Sequence, residues 1–400
     1  MQLDRRSVVR YISTTLLGSA LVPALPLAGR SMGATPNRTD DSPIEILDLR
    51  VISWKAPLYH GWPTLARRAK GELMLAFSGG RETHVCPFGR VEWMRSKDNG
   101  QTWSWPQVLY DGPIDDRDAG VLETPKGSLL VTTFTSLAYE PILLKAEKAK
   151  PGEPGAFADP KLLLEWQAVH HRIDEDARKK ELGCYMLRST DGGVTWSNRY
   201  RVPCNSPHGP IPLADGRLLY AGKDLWGNDQ VGFWHSSDDG LTWELLAPVP
   251  VRPRDSASNY HELHAVQAAD GTIVCHVRNH NKANANETLQ CESTDGGRTW
   301  SMLHSIGVWG LPSHLMKMRS GRLVMTYGYR RKPLGNQIRY SDDHGKTWSD
   351  AVTLSGDGVS GDLGYPSTVQ CDDGTMVTAW YEKLADSPLA QLRQARWKWR

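Results

Sequence analysis

Ser96-Lys97-Asp98-Asn99-Gly100-Gln101-Thr102-Trp103 is the first of five copies of one pattern, S-x-D-x-G-x-T-W, and the others stand at residues 189–196, 236–243, 293–300 and 341–348. A recurring unit decides architecture before any single element does. Each copy holds the parts of a tight hairpin turn: an Asp whose carboxylate accepts from nearby backbone amides, a Gly able to take positive φ, and a Trp to pack between sheets. That turn chemistry accounts for these Asp residues, so they are read as structural rather than catalytic.

A looser repeat interleaves with the first: a polar start, an apolar strand, a G-x-L-type turn and a second strand. Its six copies open at Trp62-Pro63-Thr64, Asp118-Ala119-Gly120, His208-Gly209-Pro210, Glu262-Leu263-His264, Ser313-His314-Leu315 and Tyr365-Pro366-Ser367. The first two Asp-turns lie 93 residues apart, against 47, 57 and 48 for the later gaps, yet only one inner-strand unit separates them. The excess is an insertion at residues 143–181, charged and helix-compatible around a Pro/Gly break at 151–160. The sixth unit lacks an Asp-turn, so its outer strand should come from residues 44–54, closing a ring. The expected fold is all-β, a six-bladed β-propeller over residues 43–400 with a short helical insertion in the second blade.

Composition agrees. Sixteen Trp, 37 Gly and 25 Pro describe a turn-rich β chain. A formal charge of +2, from 47 Lys+Arg against 45 Asp+Glu, argues against a nucleic-acid groove or a membrane-binding patch. Residues 1–30, with Arg5-Arg6 before an apolar stretch, read as a twin-arginine export signal, and 31–42 as a linker, which places the mature protein in the periplasm or outside the cell. Six cysteines show no C-x-x-C pair, so no structural zinc site is expected; Cys275 and Cys291 flank a hairpin, and a pair or two buried thiols are both open readings. No metal, cofactor, nucleic acid or membrane partner is expected, and the chain is read as a monomer.

In a propeller the first strand of each blade lines the channel, and the segments leading into those strands meet at one mouth. That geometry gathers His60, Arg117, Asp118, His208, His261, Glu262, His264, His314, Asp362 and Tyr365. A ring of ionisable groups there is costly to bury, which suggests a site.

Five Asp boxes on a six-unit propeller resemble the sialidase (neuraminidase) superfamily, over essentially the whole chain after the leader. The resemblance implies a Tyr nucleophile activated by a Glu, an Asp acid/base and an arginine triad for a substrate carboxylate. Residues 262–278, ELHAVQAADGTIVCHVR, resemble the family's Glu strand ending in its second triad arginine, which makes Glu262 the base and Arg278 a substrate ligand. Gly364-Tyr365-Pro366-Ser367 resembles the nucleophile strand. The third arginine corresponds to Arg330 in preference to Arg339. Where sialidases carry Tyr-Arg-Ile-Pro this chain has His60-Gly61-Trp62-Pro63, and the loop due to bring the Asp, residues 78–85, has none, so His84 or Glu82 stands in as proton donor and Arg81 as a further substrate ligand. The leading expectation is an exo-acting glycosidase on a terminal sugar, neutral or acidic, other than or in addition to sialic acid. A lyase acting on uronate-containing glycans, and a non-catalytic sugar-binding propeller with Trp62, Trp226 and Trp309 as platforms, are the alternatives.

Overall fold

A computed structural model describes residues 42–53 and 58–400; the leader and all but the last residue of the linker lie outside them. Six four-stranded antiparallel sheets form six blades. The first comprises Tyr59–Arg67, Leu73–Arg81, Arg90–Ser96 and Gln107–Tyr110, and the next four follow in chain order. The sixth takes Leu363–Gln370, Met376–Leu384 and Ser387–Trp399 from the C-terminus and its outermost strand, Ile44–Val51, from the N-terminal side. Ring closure is thus as expected, with Ile44 opposite Trp399.

The Asp-turns join third strands to fourth strands. In the first, Ser96 Oγ donates to Asp98 Oδ1 at 2.8 Å, and Asp98 accepts from Thr102 N at 2.8 Å and Thr102 Oγ1 at 2.6 Å. The same bonds recur at Asp191, Asp238, Asp295 and Asp343. The turn tryptophans reach the preceding blade: Trp300 stacks on Phe233 at 3.6 Å, Trp196 meets Trp93 edge-on at 5.4 Å, and Trp103 Nε1 donates to Gln394 Oε1 at 2.8 Å. Because strands alternate in direction, the Asp-turns lie on the face opposite the inner-strand starts, away from the mouth.

Between Leu129–Ser136 and Cys184–Ser189 of the second blade stand three helices, α1 (Glu140–Lys148), α2 (Pro160–His170) and α3 (Glu175–Glu181). Asp159 caps α2 and Asp174 caps α3 through backbone amides at 2.9 and 2.8 Å. Their buried side chains, Tyr139, Leu143 and Trp166, pack with Cys86 and Val85 of the first blade's loop. All six cysteines are free and buried; Cys275 and Cys291 are register partners in adjacent strands. No helix among the described residues is long and apolar enough to cross a membrane.

The channel is filled below its mouth. Thr64 in the first blade donates to Pro207 O at 3.0 Å and meets His208 Nδ1 at 3.2 Å, a contact to the third blade across the axis. His208, His264 and His314 pack ring against ring at 4.6–5.3 Å. Burial holds all three well below the ordinary imidazole pKa, so they are neutral struts. His264 Nδ1 accepts from Leu315 N at 2.9 Å, tying neighbouring inner strands together.

Candidate active site

Four inner strands open with the same backbone device. Register shifts fall at 61/64, 117/120, 261/264 and 364/367, and inside each a non-glycine residue takes positive φ: Trp62 at 53°, Asp118 at 48°, Glu262 at 45° and Tyr365 at 53°. L-residues adopt this region at a cost, and such strain concentrates at functional positions. The bulges turn four side chains from separate blades toward the mouth.

At the centre, the Tyr365 hydroxyl donates to Glu262 Oε1. Arg278 Nη1 donates to Glu262 Oε2 at 2.5 Å and to Tyr365 Oη at 3.4 Å, and its Nε donates to His280 Nε2 at 2.9 Å. Burial alone would raise the Glu262 pKa, but the charge and hydrogen bond of Arg278, together with the Tyr365 hydroxyl, outweigh it and hold the carboxyl below its usual range. Burial and the Glu262 charge push Tyr365 well above 10. The resting pair is therefore a neutral phenol bonded to a carboxylate. Arg330 donates through Nε and Nη2 to Leu363 O at 3.1 and 3.0 Å, and its charge also acts on Glu262. Arg117 lies 4.7 Å over the Trp62 ring. Beside it, burial chiefly lifts Asp118 to about 7, with Arg117 opposing and Glu262 adding to the rise. His261 borders His280 at 4.7 Å, and burial, with Lys223, lowers it to about 4.

A second cluster abuts the first. Asp362 Oδ1 accepts from Tyr59 Oη at 3.0 Å and Tyr381 Oη at 3.2 Å and lies 2.9 Å from His84 Nδ1, while Lys383 Nζ stands 3.6 Å from Oδ2. Trp62 joins the clusters, 4.9 Å from the His84 ring and 6.5 Å from that of Tyr365.

The fold does not bring every expected residue to this mouth. Arg81 is fully buried and committed to Asp115 at 2.6 and 3.0 Å, with a further bond to His84 O at 3.1 Å, so it supports the loop instead of facing substrate. Glu82 accepts from Trp166 Nε1 at 3.2 Å, and its other charged neighbours, Glu165 and Asp159, also belong to the helical insertion. His60 is buried against Phe77 at 5.0 Å. His208, His264 and His314 form the plug beneath the site. Tyr59, Tyr381, Lys383 and His280 were not anticipated. Tyr381, Lys383 and His280 sit at or just beyond the far ends of second strands, which antiparallel pairing returns to the same mouth; the two arginines that were anticipated, Arg278 and Arg330, do the same. Among the described residues no group of three or more His, Cys, Asp or Glu side chains is arranged to hold a metal ion.

The family model for the BNR repeat-like domain matches residues 153–378. The chain belongs to that family. This BNR propeller is 25% identical over 275 residues to a sialidase of Paraclostridium sordellii, covering 62% of the chain and 59% of that protein. It is 25% identical over 329 residues to a sialidase of Micromonospora viridifaciens, covering 75% of the chain and 44% of that protein. A xyloglucanase of a Paenibacillus species is 29% identical over 165 residues, 36% of the chain, of which the chain spans 15%. Among solved structures, a Dyadobacter fermentans protein of unknown function superposes with a TM-score of 0.72 at 22% identity, covering 90% of this chain and all of that one. The Hadza microbial sialidase Hz136 gives 0.59 at 19% identity, covering 84% and 65%. The BNR propeller is a divergent member of the sialidase superfamily, and it spans 59%, 15% and 44% of the sialidase, xyloglucanase and second sialidase it matches.

Proposed function

We propose that the protein is an exo-acting glycoside hydrolase in which Tyr365 is the nucleophile or cation stabiliser, Glu262 its base and His84 the proton donor. The observation that carries this is the Tyr365 hydroxyl bonded to Glu262, with Arg278 bound to both. A phenol with an ordinary pKa near 10 is a poor nucleophile at neutral pH, and an ionised carboxylate on its proton removes that obstacle. As Tyr365 oxygen bonds to the anomeric carbon, its proton passes to Glu262 and the departing oxygen takes a proton from His84; water then attacks the same carbon, giving a proton back to His84, while Glu262 returns its proton to the leaving Tyr365 oxygen. Arg278 and Arg330 hold oxygen substituents around the reacting carbon, and Arg278 compensates the Glu262 charge in the resting pair, before the proton arrives. The twin-arginine reading of the leader places this activity outside the cytoplasm; a double R5K/R6K variant should then remain inside the cell on fractionation.

The test is digestion of a glycan panel, read by mass spectrometry, with native protein and Tyr365→Phe. Removing a nucleophile from a unit that acts together costs on the order of 10³-fold or more in kcat. Turnover by Y365F within about tenfold of native would end this assignment.

A further inference from the structure

The Asp362 cluster decides which sugar the site admits, an inference that rests on the hydrolase reading above. At Gly61, where the sialidase resemblance calls for an arginine, a Cβ would lie 2.9 Å from Tyr59 Cε1, 3.7 Å from Tyr59 Oη and 3.8 Å from Tyr381 Cδ2. The space is taken by two phenols, and both donate to Asp362. Burial would raise the Asp362 pKa, but His84, Tyr59 and Lys383 outweigh it and leave the carboxyl at about 2. Phenols therefore fill the place where an arginine would be needed to hold a substrate carboxylate, and the group they bind is an anion, itself paired with Lys383 at 3.6 Å.

The cluster borders the reacting centre: the Tyr381 ring is 5.8 Å from that of Tyr365, and Trp62 spans from Tyr365 to His84. It is also open to a ligand, since the His84 side chain is 46% exposed and that of Asp362 19%. Three donors already converge on Oδ1, which leaves Oδ2, near Lys383, as the acceptor with capacity remaining. His84 uses Nδ1 toward Asp362, so its other ring nitrogen remains for the substrate. We propose that Asp362 and His84, positioned by the fully buried Tyr59 and Tyr381, form a selectivity subsite that takes paired hydroxyls of an uncharged terminal sugar and turns away sialic and uronic acids. A hydroxyl donates and accepts, which suits a carboxylate beside an imidazole. A second carboxylate only accepts and carries like charge into contact with Asp362.

Two measurements separate this inference from the catalytic one. Turnover by Y365F bears on catalysis alone. Selectivity is read as binding to the Y365F variant, by saturation-transfer NMR and calorimetry, using methyl glycosides of neutral hexoses and 6-deoxyhexoses against N-acetylneuraminic acid and methyl glucuronide. Neutral sugars should bind at least about tenfold tighter than either acid, and adding Asp362→Asn should shrink that ratio about tenfold or more, since it removes one charge at contact distance. Tyr59→Phe, which keeps the ring and deletes one donor to Asp362, should weaken neutral-sugar binding and serves as a second variant should D362N fold poorly. Equal or tighter binding of the acids, binding of neither class, or a ratio unmoved by both substitutions would overturn the proposal.

Discussion

Asp118 is the residue whose charge is least settled by its surroundings. Burial lifts it to about 7, so it exchanges its proton close to neutral pH. Protonated, it is a hydrogen-bond donor at the mouth; ionised, it is a further anion near Glu262 and Tyr365. A plot of kcat/KM against pH should fall on the alkaline side with an apparent pKa near 7, and Asp118→Asn should flatten that fall; an unchanged alkaline limb would exclude Asp118 as its source. The linkage sign follows from the raised value. The folded state binds this proton more tightly than the unfolded chain does, so the contribution is stabilising at low pH and is lost as pH rises through about 7. D118N should accordingly melt higher than native protein at pH 8. At this scale the sequence was only partly legible. Glu262 and Tyr365 were legible because each opens an inner strand of the repeat, and Arg278 because residues 262–278 resemble the sialidase Glu strand. Arg81 misled because an arginine in a polar loop reads alike whether it faces substrate or Asp115, 34 residues on. Tyr59 and Tyr381 were missed because a tyrosine at a strand end looks like ordinary packing until its hydroxyl is seen to share an acceptor.

The helical insertion shows how one element governs another. Trp166 is almost wholly buried among Phe157, Tyr139 and Cys86, and its indole nitrogen holds Glu82, two residues from His84. The insertion therefore fixes the loop that carries the proposed proton donor. Replacing Trp166 with Ala should cost about 3–5 kcal/mol locally, because the cavity lies in a small cluster with few neighbours to refill it. The expected readout is faster proteolysis of residues 149–159 and a drop in kcat with the propeller's main transition little changed; native cleavage rates would refute the link. The existence and blade of this insertion could be read from spacing between Asp-turns. Its function could not, since Glu82 meets Trp166 through tertiary packing that no local pattern records.

For the whole molecule, acid is the revealing variable. His208, His264 and His314 stay neutral because burial depresses them well below 6.5. The unfolded chain takes up protons below that pH and the folded ring does not, so stability present above pH 6.5 drains away as pH falls toward the folded values. Each such histidine contributes a slope of up to about 1.4 kcal/mol per pH unit. Denaturant midpoints should therefore drop steeply from pH 6.5 to 5, and His314→Gln should make the drop shallower; a flat profile would mean the plug is hydrated. The six blades and their closure were visible in the repeat itself. The plug was not, because a histidine within the first three positions of an inner-strand unit looks the same whether it lines an open mouth or fills the axis beneath.

The last blade takes one strand from the beginning of the chain, and Arg400 N bonds to Pro43 O at 3.0 Å. Ile44–Val51 must wait unpaired until Ser387–Trp399 has been made, so the ring cannot lock before that stretch has left the ribosome. Joining Arg400 directly to Pro43 and opening the chain at another blade boundary should yield a permuted protein with the same architecture, in which that pairing no longer spans the whole ring.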